Sequence, residues 1–405
     1  MKKIFLSVIA VLSVAVLFAQ TTLEIADPKL KKENEKAAQE KAKIKAEEDR
    51  KNDTNFTALK SIVATPVKNQ GMTGTCWCFA TTSLIESQCL KQNLGEFDLS
   101  EIFAVRNTYL DKAKNYILRQ GHAQFGEGGL GHDLINAYAK YGAMPEKEYT
   151  GLVEGYTQHN HVRLVRKLQT YLDSLIKSNP VPEDWQKGFV DIMNEELGIP
   201  PSKFMYNGKE YTPKTFAANV LKFNPDDYVY LTSFTHHPYY EPFIIEVPDN
   251  FSNGAYYNLP LDEMIQVTKE AVNSGYSVLW DADVSNIGFQ QKMGTAVNFV
   301  NLPDKLKLKG DMITGDAKDG KWDAAIRQEL FENLTTQDDH LMHIIGLEKA
   351  RNGNVFFRVK NSWGDVGPRH GYINVSEGYF AINTISLVIP KAAINKKLLE
   401  KLKIK

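Results

Sequence analysis

A glutamine, a cysteine, a histidine and an asparagine, met in that order along the chain, are the parts of a thiol acyl-transfer site. Gln70 stands six residues before Cys76 in Thr65-Pro-Val-Lys-Asn-Gln-Gly-Met-Thr-Gly-Thr-Cys-Trp-Cys-Phe-Ala80. The aromatic and small residues after the cysteine read as the start of a buried helix. A distant second block, Asp338-Asp-His-Leu-Met-His-Ile-Ile-Gly346 followed by Val359-Lys-Asn-Ser-Trp-Gly364, supplies a base and Asn361. A thiol is a weak nucleophile until it becomes a thiolate. A helix N-terminus favours that charge, and a histidine beside it can take the proton. The thiolate would attack a peptide carbonyl and the histidine would protonate the leaving amine. Water would then attack the thioester with the histidine as base.

Both blocks resemble papain-like cysteine peptidases. The region between them resembles the bleomycin hydrolase and aminopeptidase C branch, through Asn258-Leu-Pro-Leu261, a following helix and the strand of Gly275-Tyr-Ser-Val-Leu-Trp-Asp-Ala-Asp-Val284. The resemblance runs from about Thr65 to Val388. It implies Cys76 as nucleophile, and Gln70 with the Cys76 backbone N–H as an oxyanion hole, where one donor is worth roughly 3 kcal/mol. It implies Asn361 as acceptor of the imidazole N–H, and Trp363 as a lid over that contact. Gly128 and Gly129, in Gly126-Glu-Gly-Gly-Leu-Gly131, match a glycine pair that lines the substrate cleft and lets an extended peptide approach the backbone.

Two histidines compete for the role of base. In the family this histidine opens a strand that soon becomes core. His343-Ile-Ile-Gly346 fits, and period-two alternation puts His343 and Ile345 on one face, so His343 is the expected base. His340 lies one short step earlier. With Asp338 and Asp339 it either lines the primed side of the cleft or forms a polar turn. Ile344 follows His343 where most papain-like enzymes have a small residue.

The activity implied is that of a cysteine-type peptidase on a peptide or protein substrate, with no cofactor and no metal. In the branch that the chain resembles, a C-terminal tail lies in the cleft and its carboxylate pairs with the substrate's free amine, which makes an aminopeptidase. Here Ile389-Pro-Lys-Ala-Ala-Ile-Asn-Lys-Lys-Leu-Leu-Glu-Lys-Leu-Lys-Ile-Lys405 is basic and helix-prone, unlike such an ending. An open-cleft endopeptidase is therefore the alternative. A non-proteolytic binding protein on the same fold, or an acyltransferase with the same triad, are further readings. The first would be marked by loss of Cys76, His343 or Asn361, and all three are present. The branch often forms closed assemblies, which leaves a homo-oligomer open.

These side chains need elements to position them. A helix is expected from Cys76 to about Leu90, with Ala80, Leu84, Ile85 and Cys89 on its packed face. Ser100 is a good N-cap for the next helix, with Glu101 in its first turn. A further helix should begin near His132. Val165–Ile176 and Trp185–Leu197 read as amphipathic helices, and 223–234 and 242–247 as strands. The last third reads as an antiparallel sheet. It comprises 341–347, a type I′ turn at Asn352-Gly353, 355–360, 371–380 and 385–389. The fold class is α+β, of the papain-like kind. A helical half-domain packs on an antiparallel sheet or barrel half-domain within 56–388, with an insertion at about 150–255. Residues 20–55 form a charged helical spacer and 389–405 a basic tail.

Met1-Lys-Lys followed by an apolar run to Ala19 reads as a secretory signal peptide. The run is short for a bilayer span, which needs roughly 20 residues. Export to a bacterial periplasm or the extracellular space follows, with no stable membrane insertion after cleavage. A formal net charge of −1 gives no electrostatic basis for binding nucleic acid or an anionic membrane surface. The three cysteines do not make a disulfide scaffold, and Cys78 and Cys89 read as buried small hydrophobes. His159-Asn-His161 and His236-His237 lack a metal-ligand frame and read as surface or turn histidines.

Overall fold

The computed structural model describes residues 28–178, 180–299 and 305–405. The expected signal peptide, 1–19, and the start of the charged tract lie outside them. Helix α1, Pro28–Lys51, precedes strand β1, Phe56–Ser61. Three helices follow: α2 (Cys76–Lys91), α3 (Glu101–Leu118) and α4 (Gly131–Tyr141). Cys76 through Cys89 are all buried. A helix covered on every side is a central helix, not a surface one with a single apolar stripe, and α2 runs between the two halves of the molecule. Ser100 caps α3 as the sequence suggests, its Oγ accepting from Phe103 N at 3.2 Å. Within the insertion, α5 (Val162–Ile176) and α6 (Trp185–Leu197) add Leu164, Leu168, Leu172, Phe189 and Met193 to the core around α2 and α3. The insertion therefore enlarges the helical half.

The other half is an eleven-stranded sheet. After β1 come β2 (Tyr228–Thr232), β3 (Pro242–Ile244), β4 (Ala255–Asn258), β5 (Val278–Ala282), β6 (Phe289–Gln290) and β7 (Thr295–Ala296). The last four are β8 (His340–Ala350), β9 (Val355–Lys360), β10 (Tyr372–Ser376) and β11 (Thr384–Pro390). The strand order is β3-β4-β2-β11-β5-β8-β9-β10-β7-β6, with β1 also paired to β8. Most pairs are antiparallel, but β10–β7 and β2–β4 are parallel. The sheet is mixed where an antiparallel one was expected. The two faces of its central strands serve different cores. Leu279, Leu341 and Val388 pack toward α2, whereas Trp280, Met342 and Leu387 pack away from it.

Three local readings are corrected. The segment 371–380 is not one strand, because Ser376 ends β10 and caps the helix Glu377–Asn383 by accepting from Tyr379 N. Only Gly353 of the Asn352-Gly353 pair has positive φ, at 93°, so the β8–β9 turn is not type I′, which needs it at both positions. The charged N-terminal helix is not a free spacer. Lys32 pairs with Glu146 (2.7 Å) and Lys36 with Asp98 (3.2 Å) on the helical half. Glu47 meets Arg358 (2.6 Å) and Asp49 meets His370 (3.0 Å) on the sheet half, and Ala46 is buried.

Candidate active site

Cys76 is the first residue of α2, and its side chain is buried. Thr75 ahead of it makes no side-chain cap. The Thr75 carbonyl takes the N–H groups of Cys78 and Phe79, which leaves those of Cys76 and Trp77 without a side-chain cap. The two sequence blocks meet through the backbone. Gln70 N donates to Ser362 O at 2.9 Å, Gly364 N donates to Lys68 O at 3.0 Å, and Asn69 bridges Trp363. That short ladder carries the Asn-Ser-Trp-Gly segment up against the loop that opens α2.

The histidine that reaches Asn361 is His340. Its Nε2 lies 2.7 Å from Asn361 Oδ1. The same oxygen accepts Ser362 N at 2.7 Å, and Asn361 Nδ2 donates to Gln291 Oε1 at 3.0 Å. With its amide so oriented, Asn361 requires the ring proton on Nε2, which leaves Nδ1 of His340 as the basic nitrogen. The Trp363 ring lies over the imidazole, centroids 4.7 Å apart and planes 34° apart. The backbone of Leu341, the next residue, lies close enough to favour the Cys76 thiolate, so Cys76 and the start of β8 are neighbours.

His343 is elsewhere, which corrects the expected base. It is fully buried, with Nδ1 2.9 Å from Ser83 Oγ, two turns along α2 from Cys76, and with Nε2 unpartnered. Lys360 Nζ reaches the same Ser83 hydroxyl at 2.7 Å. The cause is a β-bulge. From Lys349–Val355 to Gly346–Arg358 the β8–β9 ladder is regular, and a shift between Gly346 and Ile344 then re-pairs Ile344 with Val359 and His343 with Lys360. Without the extra residue Asn361 would come opposite His343. With it, Asn361 comes opposite Met342, and the face of Met342 is shared two residues back by His340.

Gln70 is held at both ends of its amide. Its Oε1 accepts from Ser362 Oγ at 2.7 Å and its Nε2 donates to Thr73 O at 2.7 Å, which leaves one amide hydrogen uncommitted. Gly129 packs on Trp77, where a Cβ would come 3.1 Å from the indole. Gly128 is less bare than expected, because the Asp249 carboxylate occupies the place of its missing Cβ.

Burial pushes the Cys76 thiol up to about 12. The carboxylates of Asp338 and Asp281 act in the same direction, and hydrogen bonding from the Leu341 and Trp77 backbones opposes them. Burial also pushes His340 down to about 4, against the Asn361 contact, which favours the charged ring. Either charge alone is costly in this setting.

Two supporting residues escaped the sequence reading. Ser362 sits inside a recognisable motif, so its role was within reach. Gln291 has no spacing signal, being brought in by the turn between β6 and β7. Among the histidines set aside, His159 and His161 are buried, not at the surface, and His161 Nδ1 is 3.0 Å from Tyr109 OH. His236 and His237 gather on Glu246. Gln328 accepts Thr235 N through Oε1 and donates Nε2 to His236 Nδ1, so the His236 proton sits on Nε2 and is given to Glu246. That nitrogen is a donor, not a metal ligand.

Comparison with known proteins shows the family and the fold. The Peptidase C1-like family model matches residues 122–405, and the papain family cysteine protease model matches residues 52–185. Aminopeptidase C of Streptococcus thermophilus is 23% identical over 84% of this chain and 83% of its own length. Bleomycin hydrolase of Homo sapiens is 25% identical over 82% of each. The crystal structure of PepW from Lactobacillus rhamnosis HN001 is 20% identical and covers 89% of this chain and 86% of that one, with a TM-score of 0.68, a likeness of fold. With a family match across more than two thirds of its length, the chain belongs to the Peptidase C1-like family and is a cysteine-type peptidase of papain-like fold.

Proposed function

We propose that the protein hydrolyses peptide bonds through Cys76 as nucleophile, His340 Nδ1 as general base and acid, and Asn361 as the group that fixes the ring. The observation that carries this is the His340–Asn361 hydrogen bond beneath Trp363, at the point where β8 begins beside Cys76. Gln70 and the uncapped backbone at the start of α2 would stabilise the oxyanion. Attack by the thiolate forms the acyl-enzyme. His340 gives its proton to the departing amine and then draws one from water as the thioester is hydrolysed.

The likeness to aminopeptidase C supports removal of N-terminal residues as the mode of action. Open-cleft endopeptidase action is favoured by one feature. Leu398 and Leu402 of the C-terminal tail are buried in the core on the face of the sheet away from α2, so the tail is docked there and not along Cys76. Export rests on the leader-like sequence ending near Ala19, and an N-terminus beginning beyond it in secreted protein is the matching observation.

One peptide, supplied with a free and with an acetylated amino terminus, separates the two modes by mass spectrometry of its digests. Stepwise loss of single residues from the free peptide alone is expected. Internal cuts in both would mean an endopeptidase. Cleavage by Cys76→Ala protein at more than trace rate would overturn the mechanism.

A further inference from the structure

Helix α1 and the sheet meet over a cavity of about 240 Å³ that is lined by none of Gln70, Cys76, His340 and Asn361. Ala46, Asp49 and Arg50, spaced three and four apart, turn one face of α1 toward it. Arg358 on β9 stands opposite Asn374 on β10, and Tyr372 shares the Asn374 face two residues back. All three line the cavity, and the Arg358 guanidinium lies over the Tyr372 ring, 4.4 Å from its centroid. Arg369, from the loop before β10, lines it as well. Three guanidinium groups from three separate segments therefore border one space.

The acids around this space are committed. Glu47 takes Arg358 at 2.6 Å, Asp53 takes Arg369 Nη2 at 3.1 Å, and Asp49 takes His370 at 3.0 Å. Arg50 gives both terminal nitrogens to the Ser61 hydroxyl, at 2.8 and 2.7 Å. Buried Glu348 comes only within 3.6 Å of Arg50 Nε, and burial holds its carboxyl above the usual range. The groups left over are donors. Asn374 is 1% exposed, and its Nδ2 has no hydrogen-bond partner among the described residues; the buried Nε of Arg369 has none either. Orphan buried donors are costly. Burial also works against the Arg369 charge, and the Arg358 charge adds to that while Asp53 opposes it. Water would satisfy the donors without relieving the repulsion between the two arginines, whereas an anion does both. The space is smaller than the usual site for a drug-sized ligand and larger than one water needs. We propose that it binds a small oxyanion, held by Arg369 and Asn374 with Arg50 and Arg358 beside them, and that the anion fastens α1 to the sheet. Guanidinium and amide N–H groups accept phosphate and carboxylate oxygens alike, so the oxygen chemistry is shared and the source is for experiment to assign.

Isothermal titration calorimetry on the full chain reads this without turnover. Inorganic phosphate and sodium acetate are titrated separately at constant ionic strength, with chloride as the background salt. One saturable site per chain is expected. Tighter binding of phosphate identifies a phosphate group as the occupant, and tighter binding of acetate a carboxylate. Arg369→Gln should weaken the site by about tenfold or more, the size of a charge-assisted hydrogen bond. Arg50→Gln, on the partly exposed strap, should weaken it severalfold and keeps the test decisive if the Arg369→Gln protein does not fold. Lys203→Gln, a surface lysine in the insertion, should bind as the native chain does. No saturable binding of either anion, binding unchanged in both arginine variants, or an equal loss in Lys203→Gln overturns the proposal. Whichever anion binds should also slow amide hydrogen exchange across 28–51, and binding without that slowing would overturn the fastening of α1.

Discussion

His340 and His343 are three residues apart on one strand, and their surroundings give them opposite uses. His340 has one nitrogen satisfied by a neutral amide and, in the proposed mechanism, the other is free to take and return a proton. His343 is enclosed with Ser83 and Lys360, and burial lowers its basicity first, with the Lys360 charge second. Lys360 is itself pushed down to about 7 by burial. His343 therefore stays neutral when folded and charges readily when unfolded. As pH falls below about 6.5 the unfolded chain gains a proton that the folded chain refuses, so this residue subtracts stability on the acid side. Replacing it as His343→Gln should make the protein gain on the native chain as pH drops from 7 toward 5, by up to about 1.4 kcal/mol per pH unit. Urea midpoints at the two pH values measure this, and parallel losses in both proteins would show that His343 titrates freely in the fold.

Among the elements, β8 and α1 differ most from what their sequences suggest. The bulge between Ile344 and Gly346 moves the register by one residue, and a one-residue slip in a strand changes which side chains share a face. No composition signal marks it, and alternation counted back from the core puts the wrong histidine beside Asn361. Helix α1 has almost no apolar face, so hydrophobic periodicity gives no reason for it to dock. It docks through charge, with Lys32 and Lys36 on the helical half, and Glu47, Asp49 and Arg50 on the sheet half. Individual surface ion pairs contribute about 0–1 kcal/mol and are screened by salt. Removing residues 1–51 should lower the stability by about 1–3 kcal/mol, and the gap from the native chain should shrink in 1 M salt. An unchanged melting temperature would mean that the strap carries no load.

For the whole molecule, much of the plan was readable because it follows from periodic burial. Trp185–Leu197 and 355–360 match the helix and strand read from pattern alone, and Cys76 does open a helix. Cys76, Gln70, Asn361 and Trp363 converge because their motifs carry local geometry with them. Features set by tertiary contact were not readable: Gln291 behind Asn361, Asp249 over Gly128, and the destination of the tail. The tail looks like a loose basic end, yet its two leucines are sealed against the sheet, each worth about 1.5–3 kcal/mol of burial. Deleting residues 395–405 should lower the melting temperature while leaving the pattern of peptide digestion unchanged. A shift from stepwise to internal cleavage would mean that the tail reaches the cleft.

The most direct test of the account is the rate at which iodoacetamide alkylates Cys76 near pH 7 in His340→Ala and His343→Gln proteins, because it reports the histidine that activates the thiol without needing a substrate. The account predicts a loss of about tenfold or more in His340→Ala and a rate close to native in His343→Gln. A native rate in His340→Ala, with the loss falling on His343→Gln, would contradict it.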